Sequence, residues 1–548
     1  MTQLVARPLR LAFGPSQGRG AEQSVERGGW RADSVHTDRI PHLATVLTSN
    51  LLSLLLLTPL AGVVVIAAAT RVRPAVAGPI ALITSLLGLG LAVLAWLRYD
   101  PAGSPFQIIE RVGFTRSGVG YLVGADGLTV TCLVVIEAVG LLAILTSWSD
   151  ASDGRPDRQA GLLIFQAAMV GIVIALDALL FAACWAVLLT SVAAAIEARR
   201  PTRWGGVTLV AASVLALLTG ILLIHAAARD ATGVLSFDVA NLQQISLPGE
   251  RQTGPFLLLF AAFASAAAAL TLGAAFPRTR SHAALVTAAL VLLPSYAWVR
   301  FNSAMLPQAS RAFVPLIAAT AIATLLMAAV LAWRSREGSR ALTWAAVAQL
   351  GVILLGVAVI DPQALGGSLV NTAGFALAVA PLSVLLSDSS GRTPAMIAAG
   401  WIVTLAAIGV PGLIAFTGGP AVVTGASHAH PMWAFAAGVG LLAIAAALVR
   451  AAQLTLARPG TPDRSATGAI AAITLAFAGL AIVIGVAPQA MRARLEPTMA
   501  RVITRLDAGY APVFAKVPGC GGGSVPAPSA PAGFTAIAPC DSAAPTPK

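Results

Sequence analysis

Glu137, Asp177 and His225 stand in apolar runs, Cys132-Leu133-Val134-Val135-Ile136-Glu137, Ile172-Val173-Ile174-Ala175-Leu176-Asp177 and Ile221-Leu222-Leu223-Ile224-His225. A carboxyl or imidazole held away from water can take up and release a proton, and such groups mark proton paths through membranes. A quieter reading stands beside each. Glu137 also suits a neutral, hydrogen-bonded acid or one facing a partner subunit. Asp177, at a helix start, reads better as a cap for free amides, and His225, near the end of its run, as a satisfied or interfacial imidazole. Lysine is nearly missing: the chain has only Lys516 and Lys548, both in its C-terminal tail. A proton path built on lysines inside the bilayer is therefore excluded.

The elements that must position these groups are membrane-spanning helices. With 57% hydrophobic and 11% charged residues and a mean hydropathy of +0.83, the 548-residue chain lies outside the range of soluble domains. Its apolar runs approach the ~20 residues that cross a hydrocarbon core, where only helices or closed barrels satisfy their backbones. Unbroken Leu, Ala, Val and Ile make them helices. Spans are expected near 43–69, 76–97, 126–148, 160–176, 177–197, 205–228, 254–276, 283–303, 312–333, 341–360, 366–387, 394–417, 432–453 and 467–488. The expected fold is thus an all-α polytopic membrane protein of about fourteen helices. Arginine gathers in alternate loops, among them Arg199, Arg200 and Arg203, then Arg334, Arg336 and Arg340, then Arg450, Arg458 and Arg464. Positive loops stay in the cytoplasm, so both termini are expected on the periplasmic side of a bacterial inner membrane. The net charge of +12 follows from that bias and calls for a lipid bilayer, not a nucleic acid, as partner.

Residues 1–42, polar and arginine-rich, read as a disordered extension or a misassigned start. Residues 43–125 hold the first two helices and an outer loop, 126–453 a helical core, 454–488 the last helix, and 489–514 a short amphipathic segment. The Pro/Gly/Ala-rich tail 515–548 reads as disordered, and Cys520 and Cys540 within it either pair or stand apart. Cys132 and Cys184 lie in spans as small apolar packers. Asp126 beside Gly127 reads as a cap within a turn, Arg340 with Glu337 as an interface marker, and Glu110 as an outer-loop contact. His428 and His430 in the outer loop 418–431 could bind a metal, but two exposed histidines alone are weak evidence for a site. No phosphate-cradling loop, iron-sulfur cysteine set or bis-histidine haem pattern occurs, so any redox chemistry belongs to a partner.

Several motifs follow one another across roughly residues 50–500: Leu97-Arg98-Tyr99-Asp100-Pro101, Phe106-Gln107-Ile108-Ile109-Glu110-Arg111, and Tyr121-Leu122-Val123-Gly124-Ala125-Asp126-Gly127-Leu128. After them come Ala175-Leu176-Asp177-Ala178-Leu179-Leu180-Phe181 with Trp185, Arg300-Phe301, Arg340-Ala341-Leu342 with Gln349-Leu350-Gly351, and Gly409-Val410-Pro411-Gly412. In order and spacing this resembles the antiporter-like subunits of proton-translocating NADH-quinone oxidoreductase (complex I), the subunit M type above all. That family is related to the large subunits of Mrp antiporters and to membrane subunits of some hydrogenases and inorganic-carbon uptake complexes.

The resemblance implies two inverted repeats, other membrane-arm antiporter-like subunits and a hydrophilic redox arm as partners, and FMN and iron-sulfur clusters in those partners with none in this chain. It implies support of proton transport coupled to electron transfer from NADH to quinone. It also exposes a departure, because the family's proton relay falls on the wrong residue types. The fifth-span glutamate matches Ala186, the seventh-span lysine a position near Ala266, the eighth-span lysine one near Leu292, the tenth-span histidine Gln349, and the twelfth-span acid Gly419. The prolines that break the family's seventh helix are missing too, so that span is expected to run nearly straight to Pro277. Pro411-Gly412 remains to kink the twelfth. Conduction by this chain is left open, with a non-conducting structural paralogue or a membrane partner of an inorganic-carbon or ion uptake complex as the alternatives.

Overall fold

The computed structural model describes residues 49–113, 120–149, 156–197, 205–233, 236–277, 279–387, 392–456, 464–508, 514–516 and 524–526. The extension 1–42, Cys520 and Cys540, and the 515–548 tail apart from two three-residue strand segments lie outside the described residues. Helices α1 (Leu51–Ala69) and α2 (Ala77–Arg98) lead into an antiparallel hairpin of β1 (Gln107–Gly113) and β2 (Gly120–Ala125). Then follow α3 (Gly127–Ser149), α4 (Pro156–Ile174), α5 (Ala178–Glu197), α6 (Gly205–Thr232), α7 (Gly249–Ala275) and α8 (Arg280–Ala297), which continues through a π turn, Trp298–Ser303. The remainder is α9 (Val314–Arg334), α10 (Gly338–Ala358), α11 (Pro362–Leu386), α12 (Pro394–Ile408), α13 (Gly418–Ala429), α14 (Pro431–Leu456), α15 (Arg464–Val486) and α16 (Gln489–Ala508).

Among the described residues twelve helices are long and apolar enough to cross a membrane. The two remaining expected spans are not straight crossings. Ile470–Val486 passes that test only together with Gln489–Asp507, to which it is bent by 67°. The span expected over 394–417 is interrupted: α12 ends in Gly409 at φ +84°, Gly412 follows at φ +84°, and the chain re-enters helix at Gly418. Glycine reaches that left-handed region without a Cβ penalty, and Pro411 between them cannot continue a helix. The expected 160–176 and 177–197 spans are two separate helices, parted by Ala175-Leu176-Asp177.

α8 and α11 form the centre of the bundle, buried through almost all of their apolar length and packed on each other, with α3 the next most enclosed. Polar side chains in these helices mostly return to their own backbone. Thr131, Thr146, Thr287, Ser295, Ser368 and Thr372 each donate to the carbonyl four residues back, which satisfies a hydroxyl that lipid and packed side chains cannot.

The hairpin closes the outer end of the first helices. Glu110 on β1 accepts from the backbone N–H of Leu52 (2.7 Å) and of Ser53 (2.9 Å), capping α1, and also from the Ser53 hydroxyl. The free amides of a helix start favour an anion there. α16 lies across the same end against α3 and α11. It is held by Arg494, whose guanidinium stacks 4.5 Å from the Trp96 ring and donates to the Trp96 carbonyl, and by an Arg311–Asp507 pair. Gly127 makes that approach possible, because a Cβ there would meet the Arg494 carbonyl oxygen at 1.6 Å.

Candidate functional site

The positions onto which the resemblance places the family's relay hold no charged side chain. Ala266 on α7 and Leu292 on α8 are fully buried, Gln349 on α10 is buried, and Ala186 on α5 is half-buried. An aromatic cluster joins α5, α7 and α8: Trp185 stacks on Phe181 (5.5 Å) and meets Phe263 edge-on (5.6 Å), and Phe181 meets Phe301 at 4.5 Å. The Trp185 indole donates to Ser213 on α6 (3.1 Å), and the Ser213 hydroxyl donates to the Ala262 carbonyl on α7 (2.7 Å). α7 is continuous through this region, with neither proline nor glycine between Phe256 and Leu272. Its backbone therefore presents no freed amides or carbonyls to an ion.

Glu137 sits midway along α3, fully buried. The Gln166 amide on α4 donates to its Oε2, and Ser85 on α2 donates to Gln166 Oε1 at 3.3 Å. Two glycines make the room: a Cβ on Gly88 would lie 2.3 Å from Glu137 Oε2, and one on Gly140 would lie 2.4 Å from Gln166 Cδ. Among the described residues the second oxygen, Oε1, has no hydrogen-bond partner and no cation pairs with the carboxyl. Gln166 belongs to a row. At Gln159, Gln166 and Val173, seven residues apart on one face of α4 and roughly 10 Å between rungs, the helix bonds to Ser147 (3.1 Å), Glu137 and Thr129 (3.1 Å) of α3.

The outermost rung opens onto a buried ion cluster that the sequence did not reveal. Arg300, in the π turn, donates to both oxygens of Asp126 (2.9 and 3.2 Å), to Thr129 Oγ1 (2.9 Å) and to the Tyr296 hydroxyl (2.7 Å). Tyr296 in turn donates to the Val173 carbonyl (2.6 Å). Arg501 of α16 reaches the same carboxylate at 3.1 Å, and both guanidiniums lie over the Phe106 ring. Asp126 also caps α3 by accepting from Thr129 N–H. Burial alone would raise the Asp126 carboxyl, but Arg300 and Arg501 outweigh it and hold it below the usual carboxylate range. The reading of Asp126 as a turn cap is thus extended: it is the anion that ties α3, α8 and α16 together.

Asp177 and His225 are placed apart from Glu137. Asp177 Oδ1 accepts from Leu179 N–H (2.9 Å) and Leu180 N–H (3.0 Å), a cap on α5. His225 bonds the Ser236 carbonyl through Nδ1 (3.0 Å), with its ring stacked 4.1 Å from Phe237. No hydrogen bond or ion pair joins the three among the described residues. Arg340 pairs with Glu337 at 3.2 Å, and His428 pairs with Asp361 at 3.0 Å. Gly351 lets α10 lie against the α9 backbone, since a Cβ there would meet the Ala321 carbonyl at 2.7 Å; on Gly124 it would meet Leu176 at 2.5 Å.

No protein-family profile matches the chain. Curated relatives do. F(420)H(2) dehydrogenase subunit M of Methanosarcina mazei is 26% identical over 399 residues, which cover 66% of this chain and 79% of the relative. NADH-quinone oxidoreductase subunit M of Pseudomonas aeruginosa is 24% identical over 452 residues, 75% of this chain and 89% of the relative. An NAD(P)H-quinone oxidoreductase chain 4 of Nostoc is 25% identical over 359 residues, and the match spans only 64% of its length. The chain is a homologue of these subunit M and chain 4 proteins. Among solved structures, a chain of respiratory complex I from Thermus thermophilus superposes with a TM-score of 0.70 at 21% identity, covering 83% of this chain and 99% of that one. A chain of the Mrp complex of a Dietzia species gives 0.66 at 18% identity, covering 84% and 99%. The fold is that of the antiporter-like subunits.

Proposed function

We propose that this chain fills a subunit M type position in the membrane arm of a complex I-like, proton-translocating oxidoreductase, where it supports proton transport driven by electron transfer without the family's usual relay. The single observation that carries the second half is the unbroken α7, on which Ala266 is fully buried. Partner subunits of the same fold flank it, and a hydrophilic arm holding FMN and iron-sulfur clusters supplies the electrons. The setting is a bacterial inner membrane with the arginine-rich loops in the cytoplasm. What this chain retains is Glu137, which we read as a neutral acid holding one proton among α2, α3 and α4. An ionised carboxylate there, with one amide donor and no cation, is several kcal/mol costlier than its protonated form.

A second reading is favoured by the structural neighbours. A chain of the membrane-bound sulfane sulfur reductase, an archaeal respiratory membrane complex, superposes with a TM-score of 0.70 at 18% identity, as does the Mrp chain more loosely, so membrane complexes other than complex I use the same scaffold, and the ion-uptake reading stays beside the first. The deciding experiment is a mild-detergent pull-down of the tagged chain, with mass spectrometry of everything retained and an NADH-to-quinone assay on the eluate. Flavin and iron-sulfur subunits with inhibitor-sensitive activity support the first reading. A zinc protein, Mrp-type partners alone, or a lone monomer overturns it. In the active assembly, Ala186→Glu with Ala266→Lys is expected to leave the proton-to-electron ratio unchanged; a higher ratio shows that a latent path survives.

A further inference from the structure

The straight α7 leaves a space behind. Between α7, α8, α9 and α10 lies a cavity of about 620 Å³ whose walls are almost wholly apolar and include Trp298 and Trp344. That is the size of pockets that bury small organic ligands, about 300–1,000 Å³. Ala264, Ala267 and Ala268 form the middle of its α7 wall, and Ala264 and Ala268 are exposed. These residues lie in the middle of a membrane-spanning helix, so the cavity opens sideways onto hydrocarbon and not onto water. One end reaches Thr271, Leu272 and Trp344, close to the arginine-rich face. Arg340 stands one helical turn before Trp344, with its guanidinium over the Phe276 ring (5.7 Å) at the end of α7. Arg334 and Arg336 are exposed in the same α9–α10 turn, with Glu337 as the one acid among them.

We propose that this groove is a binding site for an anionic phospholipid, one acyl chain lying along Ala264 and Ala268 against the two tryptophans and the headgroup phosphate resting on Arg334, Arg336 and Arg340. Two independent features fit a single occupant. The wall accepts a flexible chain that needs no hydrogen bonds, and the net positive turn at its mouth complements a negative headgroup at the depth where headgroups sit. A neutral hydrophobe explains the first feature only. A neighbouring protein helix would need a ridge of side chains to fill a recess that two indoles line, and would leave the turn, whose one acid Glu337 already pairs with Arg340, with a net positive charge unanswered.

The site can be read from its own tryptophans. Full-length chain is placed in nanodiscs of unlabelled phosphatidylcholine containing increasing fractions of a phospholipid with bromines midway along one acyl chain, carried on either phosphatidylglycerol or phosphatidylcholine. Bromine quenches an indole only on contact, and the groove signal is the difference between the wild type and Trp298→Phe/Trp344→Phe. Half-quenching of that signal is expected at a roughly tenfold lower fraction of brominated phosphatidylglycerol than of brominated phosphatidylcholine. Arg334→Gln/Arg336→Gln/Arg340→Gln should erase the difference while leaving quenching at high fractions intact, and Ala268→Phe, by filling the groove, should abolish quenching. Equal quenching by the two lipids in the wild type overturns the headgroup assignment. No quenching by either overturns the site altogether and leaves the groove closed or covered by protein.

Discussion

Replacing Asp126 by Asn isolates what the buried charge contributes. Asparagine caps a helix as well as aspartate does, so the Thr129 amide keeps its acceptor and the space is unchanged. What is lost is the only anion among the described residues that pairs with Arg300, which is 4% exposed, and Arg501. Breaking a buried pair by removing one partner costs about 3–5 kcal/mol, because an uncompensated charge is left behind. Arg300→Met should cost less than that, since Arg501 still answers the carboxylate, and the double variant should fall short of the sum of the two singles by about 1–3 kcal/mol. The chain carries its own reporter, Cys132, buried on α3 six residues after Asp126. In a Cys520→Ser/Cys540→Ser background, labelling of Cys132 and Cys184 by a thiol-reactive fluorophore during an SDS titration in mixed micelles gives the unfolding midpoint of each variant. A loss below about 1 kcal/mol for Asp126→Asn, or full additivity of the double variant, refutes the claim that this anion locks α3, α8 and α16.

Three further outcomes follow from the same geometry. If Glu137 is a neutral acid, infrared difference spectra at pH 7 contain a protonated carboxyl stretch that Glu137→Gln removes, and that variant shifts stability by less than about 1 kcal/mol; a carboxylate band in its place contradicts the assignment. Gly127→Ala drives a Cβ into the Arg494 carbonyl, so α16 must lift and become a protease target, whereas Gly90→Ala, which meets nothing within 4 Å, should leave digestion unchanged and add about 0.5–1 kcal/mol. Asp361 accepts from Gln363 N–H, Ala364 N–H and His428. Burial raises its carboxyl, but these donors outweigh burial and lower it below its ordinary value. A lowered folded value means stability that is complete above the unfolded value of about 3.9 and fades as the pH falls through the folded one. The midpoint gap between wild type and Asp361→Asn should therefore be constant above about pH 5 and close below pH 4; a gap that widens on acidification reverses the sign.

How far the sequence could be read depended on the range of the contacts. Apolar length gave the helices, and the Asp126, Asp177 and Asp361 caps are local, each accepting from amides two or three residues on. Arg300 and Arg501 were invisible as partners of Asp126 because they lie 174 and 375 residues away, and nothing in spacing connects them. Gln166 was passed over for a similar reason: a lone glutamine in an apolar helix becomes informative only once Glu137 is opposite it. A signal did exist, since Gln159 and Gln166 are one heptad apart and Gly88 and Gly140 interrupt helices that have no turn there. The β1–β2 hairpin was missed because its strands, inside a segment taken as loop, pair chiefly with each other and end on a helix cap.

α7 and α12–α13 differ because of what their backbones touch. α7 has no local cause for a break, since alanine is the strongest helix former and no proline follows Pro255 within the helix. Its interior carbonyls are satisfied by the continuous helix. In α12–α13 the interruption persists without a charge, and its neighbours explain why. A Cβ on Gly418 would meet Asn371 at 2.7 Å, one on Gly367 would meet the Gly418 carbonyl at 2.7 Å, and one on Gly485 would meet Leu413 at 2.4 Å. The loop between the half-helices is therefore wedged into α11 and α15 by close backbone approach, and straightening it would require rebuilding both contacts. That packing on α11 and α15 holds the interruption whether or not a charge lies beside it, and α7, continuous from Gly249 to Ala275, needs no such support.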